Sequence, residues 1–426
     1  MRKAKVGDWR SAGNREFVQF PTPPRTPAPG RTASTLGACG SDGRDMAGRL
    51  GLCAGAACAA LSAAAADPAA ARINASAGAA GDGDSPAWLR KPEPAVSVVH
   101  VINSCHLDIG FADTSQNIVN DYFDKHLPLA ASVGAQLRDG VTNFTDSKLN
   151  FMFHSWVLDM YFNCPPGMGL HCPSAKSKAN ISAAIASGDI TWQAFPHNAE
   201  PAIMDPALIK AGLAMTFALD DKFGQPHKGV LSQRDVPGLA RALIPILKGK
   251  GVRGISIGAH EDSKHAAKVP PCFVWRDPAS NTSVIMLYTW PGYGSLPLSN
   301  ERVCIVDGAA LVYNWAGDNH GPYDAGGYGG SWTKIAQSFP NATIVASTLD
   351  NFTQHLMSVE EQLPVVEQEI ADDWIYGVAS DPHKTSRMRV VNRAYRALDS
   401  AGTLERDLAH DTALRNATRF FLKNGE

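Results

Sequence analysis

From residue 96 onward, short apolar runs alternate with longer stretches whose apolar positions recur every three to four residues. The short runs are rich in β-branched and aromatic residues and read as strands at 96–104, 149–155, 189–195, 229–233, 252–258, 283–290, 342–347 and 365–370. Helical patterns lie between most of them, at 116–138, 175–187, 205–222, 237–250 and 348–363. Strand followed by helix, repeated, predicts an α/β fold with a parallel sheet and helices outside it. Seven or eight such units predict closure into a barrel. An open dinucleotide-binding sheet is the rival, but no G-x-G-x-x-G and no phosphate-binding loop follows the first strand.

The chain before residue 96 does not share this pattern. Residues 1–45 carry basic and Pro-rich runs, among them Pro21-Thr-Pro-Pro-Arg25, and read as a disordered extension. Residues 46–66 read as a secretory signal peptide: a basic start at Met46-Ala-Gly-Arg49, a small-residue apolar run, and an A-x-A-like site before Asp67. Met46 is then the expected initiator. An Ala/Gly-rich linker is the competing reading of the same run. Residues 67–95 read as a linker and 96–426 as the folded domain. No later segment reaches the roughly 18 apolar residues that a membrane-spanning helix needs.

Seven Asn-x-Ser/Thr sequons, at Asn74, Asn143, Asn180, Asn281, Asn341, Asn351 and Asn416, favour the secretory lumen or the extracellular space. Cysteine usage agrees. Cys164 and Cys172 end a loop-like stretch that a short disulfide can close, Cys272 and Cys304 are a second candidate pair, and Cys105 reads as a buried thiol. The 426 residues hold 39 basic and 41 acidic side chains, so no global charge argues for nucleic acid or an anionic membrane. Apolar residues make up 44% and aromatics 8%, enough for a large core.

The chemistry sits where the first strand ends. His106 and Asp108, two apart on a strand, emerge on one side, and Gly110 then turns the chain into a loop. Ends of strands are where α/β folds keep their sites. Such a pair is either half of a site for a borderline cation such as zinc or a hydrogen-bonded structural pair. Asp235, before Pro237 and Gly238, ends another strand on the same side of the sheet, as an N-cap, a third ligand or a nucleophile. His154 reads as a core residue, Trp192 and Trp374 more as core than as ring platforms for a ligand, and His383 as solvent-facing near a helix start.

Several ordered motifs resemble the N-terminal catalytic domain of glycoside hydrolase family 38, the α-mannosidases, and more closely a branch related to it. Asn103-Ser-Cys-His106-Leu-Asp108-Ile-Gly110-Phe111 keeps the His-x-Asp-x-Gly-aromatic frame of the family's opening motif, without its preceding His and its Pro. Asp235-Val-Pro-Gly238 resembles the nucleophile turn, and residues 188–205, 317–322, 347–352 and 369–382 resemble further segments in the same order. The resemblance implies a (β/α)7-type barrel and a zinc-dependent retaining glycosidase acting on α-mannosides. It implies zinc held by His106, Asp108 and Asp235, with Asp235 also the nucleophile and His320 standing in for a metal-binding His that the family carries further downstream. On that count the domain reads as C-terminally incomplete. A second carboxyl group ~5 Å away must protonate the leaving oxygen. Glu369, Asp372 and Asp373 are the candidates, Glu369 fitting the family register best, and Phe111 and Asp373 are the expected sugar contacts. The rivals are a metal-dependent carbohydrate deacetylase and a degenerate barrel that binds glycan without cleaving it.

Overall fold

The valine-rich run after Ala95 forms β1, Val98–His106, buried along most of its length. A strand covered on both faces needs no polar alternation, which is why its apolar run is nearly continuous. Its polar residues are bonded: Asn103 Nδ2 donates to Leu149 O at 2.7 Å, and Ser104 Oγ to Met152 O at 3.0 Å. The structure, a computed structural model, describes residues 95–140, 148–263, 266–295 and 302–425. The expected extension, signal peptide and linker up to residue 94, with Asn74 and Asn143, lie outside the described residues.

Ten further strands follow: β2 Phe151–Phe153, β3 Ile190–Trp192, β4 Val230–Asp235, β5 Gly254–Ala259, β6 Cys272–Asp277, β7 Thr282–Thr289, β8 Cys304–Val306, β9 Ala309–Asp318, β10 Thr343–Ala346 and β11 Val365–Val366. They form two sheets, ordered β3-β2-β1-β9-β8, with β10 also on β1, and β11-β6-β7-β5-β4. Apart from the β6–β7 and β8–β9 pairs, every ladder is parallel. Helices make the crossovers, such as Ala175–Ala186 before β3 and Pro206–Lys222 before β4. The expected α/β class is therefore present. The pairing does not run as one barrel ladder but divides between two sheets. They meet at single backbone bonds, Ala194 N to Val230 O at 2.8 Å and Tyr313 N to Gly294 O at 3.0 Å, the latter beside an isolated parallel bridge from Ser295 to Tyr313.

Several elements depart from the expected ones. The strand expected at 149–155 is cut to three residues because the chain turns at His154 into a helix, Ser155–Phe162, buried on all sides. The strand expected at 365–370 is the two-residue edge strand β11. The helix expected at 237–250 begins late: Gly238 lies so close to the Ile370 and Ala371 carbonyls that a Cβ would collide with them, and Leu239 N bonds to Ile370 O at 2.7 Å. The helix expected at 116–138 is one continuous run with a π-helical segment, Tyr122–His126, in its middle. Strands β6, β8 and β9 were not expected. Yet β8 and β9 are joined by Asp307-Gly308, both at positive φ, a hairpin signal visible in the sequence.

Two features of the fold aim the site. The β1–β9 register shifts between Ser104 and His106, so that His106 pairs with Asp318. The close approach at Gly238 clamps the turn after β4 onto the segment that carries Asp372. Among the described residues no helix is long and apolar enough to cross a membrane.

Candidate active site

His106, Asp108, Asp235 and Asp318 gather where β1, β4 and β9 end. His106 Nε2 lies 2.8 Å from Asp108 Oδ1 and 4.0 Å from Asp235 Oδ2. The ring is buried, 4% exposed. Burial works against a proton on it, and the Asp108, Asp235 and Asp318 carboxylates overcome that and hold its pKa above the usual value. Its orientation is set from behind: Arg234 N donates to Asn198 Oδ1 at 3.0 Å, which turns Asn198 Nδ2 onto His106 Nδ1 at 2.7 Å. Nδ1 is thereby an acceptor, so the first proton sits on Nε2 and points at Asp108. A proton on Nδ1 would require the Asn198 amide to turn.

Asp235 has φ of 81°, a left-handed conformation that costs a non-glycine residue of order 1 kcal/mol or more. Tyr293 donates its phenolic hydrogen to Asp235 Oδ1, and its own pKa is raised by burial and then by that carboxylate. The neighbouring Arg234 does not neutralise Asp235. Strand alternation sends its buried guanidinium to the other face, where it bonds Gln233 O and Ser256 Oγ, each at 2.7 Å, and lies 3.9 Å from the Tyr313 ring centroid. Asp318, exposed at the end of β9, is raised by partial loss of water around it and by Asp108 and Asp235, against the pull of His106, the mark of several carboxylates around one imidazole. Two more histidines sit deeper. Burial lowers His154 to about 3 and His197 to about 4, so both are neutral.

These groups open into a cavity of about 1610 Å3. Phe111, 89% exposed, and Tyr376, 76% exposed, stand on its rim. Trp374 lines it too and packs on His260 at 5.7 Å between ring centroids, so it is a wall residue rather than core. Trp192, by contrast, is core, its Nε1 bonded to Asp220 Oδ1 at 2.7 Å. Glu200 lines the cavity and pairs with the buried Asp372. Glu200 Oε2 and Asp372 Oδ2 are both buried without a donor. Two ionised carboxylates offer only acceptors, so the pair is stable only with a shared proton. Burial first, then Asp372, pushes Glu200 up to about 9, and the proton belongs to the pair.

The structure thus brings His106, Asp108 and Asp235 together and sets Phe111 at the entrance. Asp373 is half-buried next to Asp372. Glu369 is elsewhere: exposed, outside the cavity lining, and accepting a hydrogen bond from Arg241 N. It cannot serve there as the proton donor, because the short β11 leaves it on the outer edge. His320 is exposed, with its ring against Gly317, and the register instead carries Asp318 to His106. Glu200, Asp318, Asn198 and Tyr293 were not singled out from the sequence. The donor types suit a borderline cation. Their placement does not, since Nε2 is turned to Asp108 and, among the described residues, no three His, Cys, Asp or Glu side chains form a metal-holding group.

No family model matches the chain, and no curated protein matches it. Solved structures overlay on part of it. An alpha-mannosidase from Enterococcus faecalis V583 gives a TM-score of 0.49 at 14% identity, covering 64% of this chain and 31% of that one. A protein in the Glycosyl Hydrolase Family 38 from Enterococcus faecalis gives 0.40 at 14% identity, covering 64% and 29%. A 4-alpha-glucanotransferase from Thermococcus litoralis gives 0.40 at 10% identity, covering 74% and 46%. The chain spans about a third of the length of the first two.

Proposed function

We propose that the chain is a retaining glycoside hydrolase that removes terminal α-mannosyl residues, with the two sheets forming the wall of a (β/α)7-type barrel. One observation carries the reading: a single cavity is lined by Asp235, a strained carboxylate that accepts a phenolic hydrogen bond, and by Glu200, whose carboxyl keeps a proton shared with the buried Asp372. Retaining glycosidases divide their work between two such groups. Asp235 attacks the anomeric carbon as the glycosidic C–O bond breaks, and its electron pair leaves with the aglycone oxygen. Glu200 gives that oxygen its proton. Water then replaces Asp235 at the carbon, returning a proton to the pair. Tyr293 holds Asp235 in line, and its hydrogen bond is released as the carboxylate charge is consumed. Phe111 and Tyr376 offer ring faces to the apolar side of a sugar.

Zinc could be held by His106, Asp108 and Asp235 only after these side chains rearrange, and would then supply Lewis-acid stabilisation at the sugar hydroxyls. As the side chains stand, that needs the Asn198 amide to turn and give up its bond from Arg234 N. Metal analysis checks it: one zinc per chain, lost in His106→Ala, supports the metal, and hydrolysis that survives exhaustive chelation removes it from the proposal. A secretory-lumen or extracellular location is part of the same reading. It is supported by disulfides Cys164–Cys172 and Cys272–Cys304 and by exposed sequons at Asn180, Asn281, Asn341 and Asn351.

Proton NMR of aryl α-mannoside hydrolysis tests the activity. The first product anomer is expected to be α. A β product first, or release of acetate from acetylated sugars without glycoside cleavage, would overturn the reading.

A further inference from the structure

The same cavity also carries a cationic wall. It is the helix Pro382–Ser400, where Arg389 and Arg393 follow one another a turn apart, and Lys423 of the helix Thr412–Lys423 joins them in the lining. Among the described residues none of the three has a salt-bridge partner, whereas Arg396 of the same wall is bridged to Asp205. The wall is also fixed in place. Asn392 accepts a hydrogen bond from Asp205 N at 3.2 Å and donates to Ile203 O at 3.0 Å, which ties the helix to the segment next to Glu200. Lys423 lies against the same segment: its charge reaches the buried His197, and two residues on, Gly425 O accepts from Glu200 N. A row of cations on an ordinary helix face is solvated and means little. Here it faces a cavity far larger than the ~300–1,000 Å3 of most small-ligand pockets, so a substrate of several units can touch both this wall and Asp235.

We infer that Arg389, Arg393 and Lys423 form a subsite for an anionic group on the glycan, a sulfate, phosphate or carboxylate, held while Asp235 acts on the terminal sugar in the same cavity. Guanidinium groups match the planar or tetrahedral oxygens of such anions with paired donors. The inference rests on the glycosidase reading for the identity of the ligand, not for the existence of the subsite.

Calorimetric titration of the full chain at low salt provides the test. The probes are methyl α-mannotriosides carrying a 6-sulfate, a 6-phosphate or a 6-carboxylate on the reducing-end unit, with the uncharged trisaccharide as reference. At least one anionic sugar should bind about tenfold tighter than the reference, and the winning arm names the anion. Arg389→Glu with Arg393→Glu should abolish or reverse the preference, with circular dichroism checking that both exposed substitutions leave the fold intact. Release of the terminal mannose from the same trisaccharides gives a second reading, in which the anionic-to-neutral ratio of kcat/KM falls by about tenfold in the double variant. Equal binding of charged and uncharged sugars by the wild-type chain would overturn the subsite, as would a preference untouched by the substitutions. Anion binding at these arginines in a chain that cleaves no glycoside would leave the subsite standing and sink the glycosidase reading instead.

Discussion

At the scale of single residues, the site is built from conflicts that its surroundings hold in place. Asp235 carries its strain at φ 81° at the turn after β4, where Tyr293 hydrogen-bonds its carboxylate. Asp235→Gly is therefore expected to raise stability by about 1 kcal/mol in denaturant unfolding while abolishing hydrolysis, since glycine takes that conformation freely. Glu200 holds a second conflict. A carboxyl group that ionises later in the folded chain than in the unfolded one favours folding only while protonated. Its contribution is whole below about 4.5 and is lost as pH rises through about 9. Glu200→Gln should remove that dependence, so that its melting temperature exceeds that of wild type by an increasing margin between those two values. The same variant should lose about 10²–10⁴-fold in hydrolysis of glycosides with poor leaving groups and far less with dinitrophenyl glycosides. An equal loss on both would reduce Glu200 to a structural role. His106 and Asp235 were legible in the sequence because a following Gly or Pro marks their strand ends, whereas Asp108, expected on the strand beside His106, lies two residues past its end. Glu200 and Asp318 were not legible, because each reaches the site only through loops and a register shift that no local pattern encodes.

At the scale of elements, the buried parallel strands were readable because they are nearly continuous in apolar residues. What escaped was set by tertiary context. The helix Ser155–Phe162 is buried on every side and so has no amphipathic stripe to read. The expected strand at 365–370 contracts because only two of its residues find a partner on β6. The hairpin β8–β9 was marked by its Asp-Gly turn, and missing it hid the strand that carries Asp318 to His106. The Cys272–Cys304 disulfide, as expected from the sequence, ties β8 to β6 across 32 residues of separation. Replacing both cysteines by alanine should cost about 3–4 kcal/mol in denaturant unfolding. The eight-residue separation of Cys164 and Cys172 should be worth less.

At the scale of the whole molecule, the last helix closes the fold against its first half. Arg419, 2% exposed, pairs with the buried Asp159, and its carbonyl accepts from Trp156 Nε1 at 3.0 Å. Arg419→Ala strands Asp159 without its partner and should destabilise the protein by about 3–5 kcal/mol, read from the shift of the unfolding midpoint. The same packing brings Lys423 and Gly425 beside Glu200, so stability and site geometry should fail together. The α/β class was legible from alternating periods. The division into two sheets was not, because it depends on single bonds between β3 and β4 and between Gly294 and Tyr313. The central claim, that Asp235 is a nucleophile in a retaining reaction, is tested most directly by trapping. The protein is incubated with an activated 2-deoxy-2-fluoro or 5-fluoro α-mannosyl fluoride, and its proteolytic peptides are read by mass spectrometry. The account predicts one fluoroglycosyl adduct, on the peptide containing Asp235, absent in Asp235→Asn. An adduct on another carboxylate, or hydrolysis that proceeds with inversion and leaves no adduct, would contradict it.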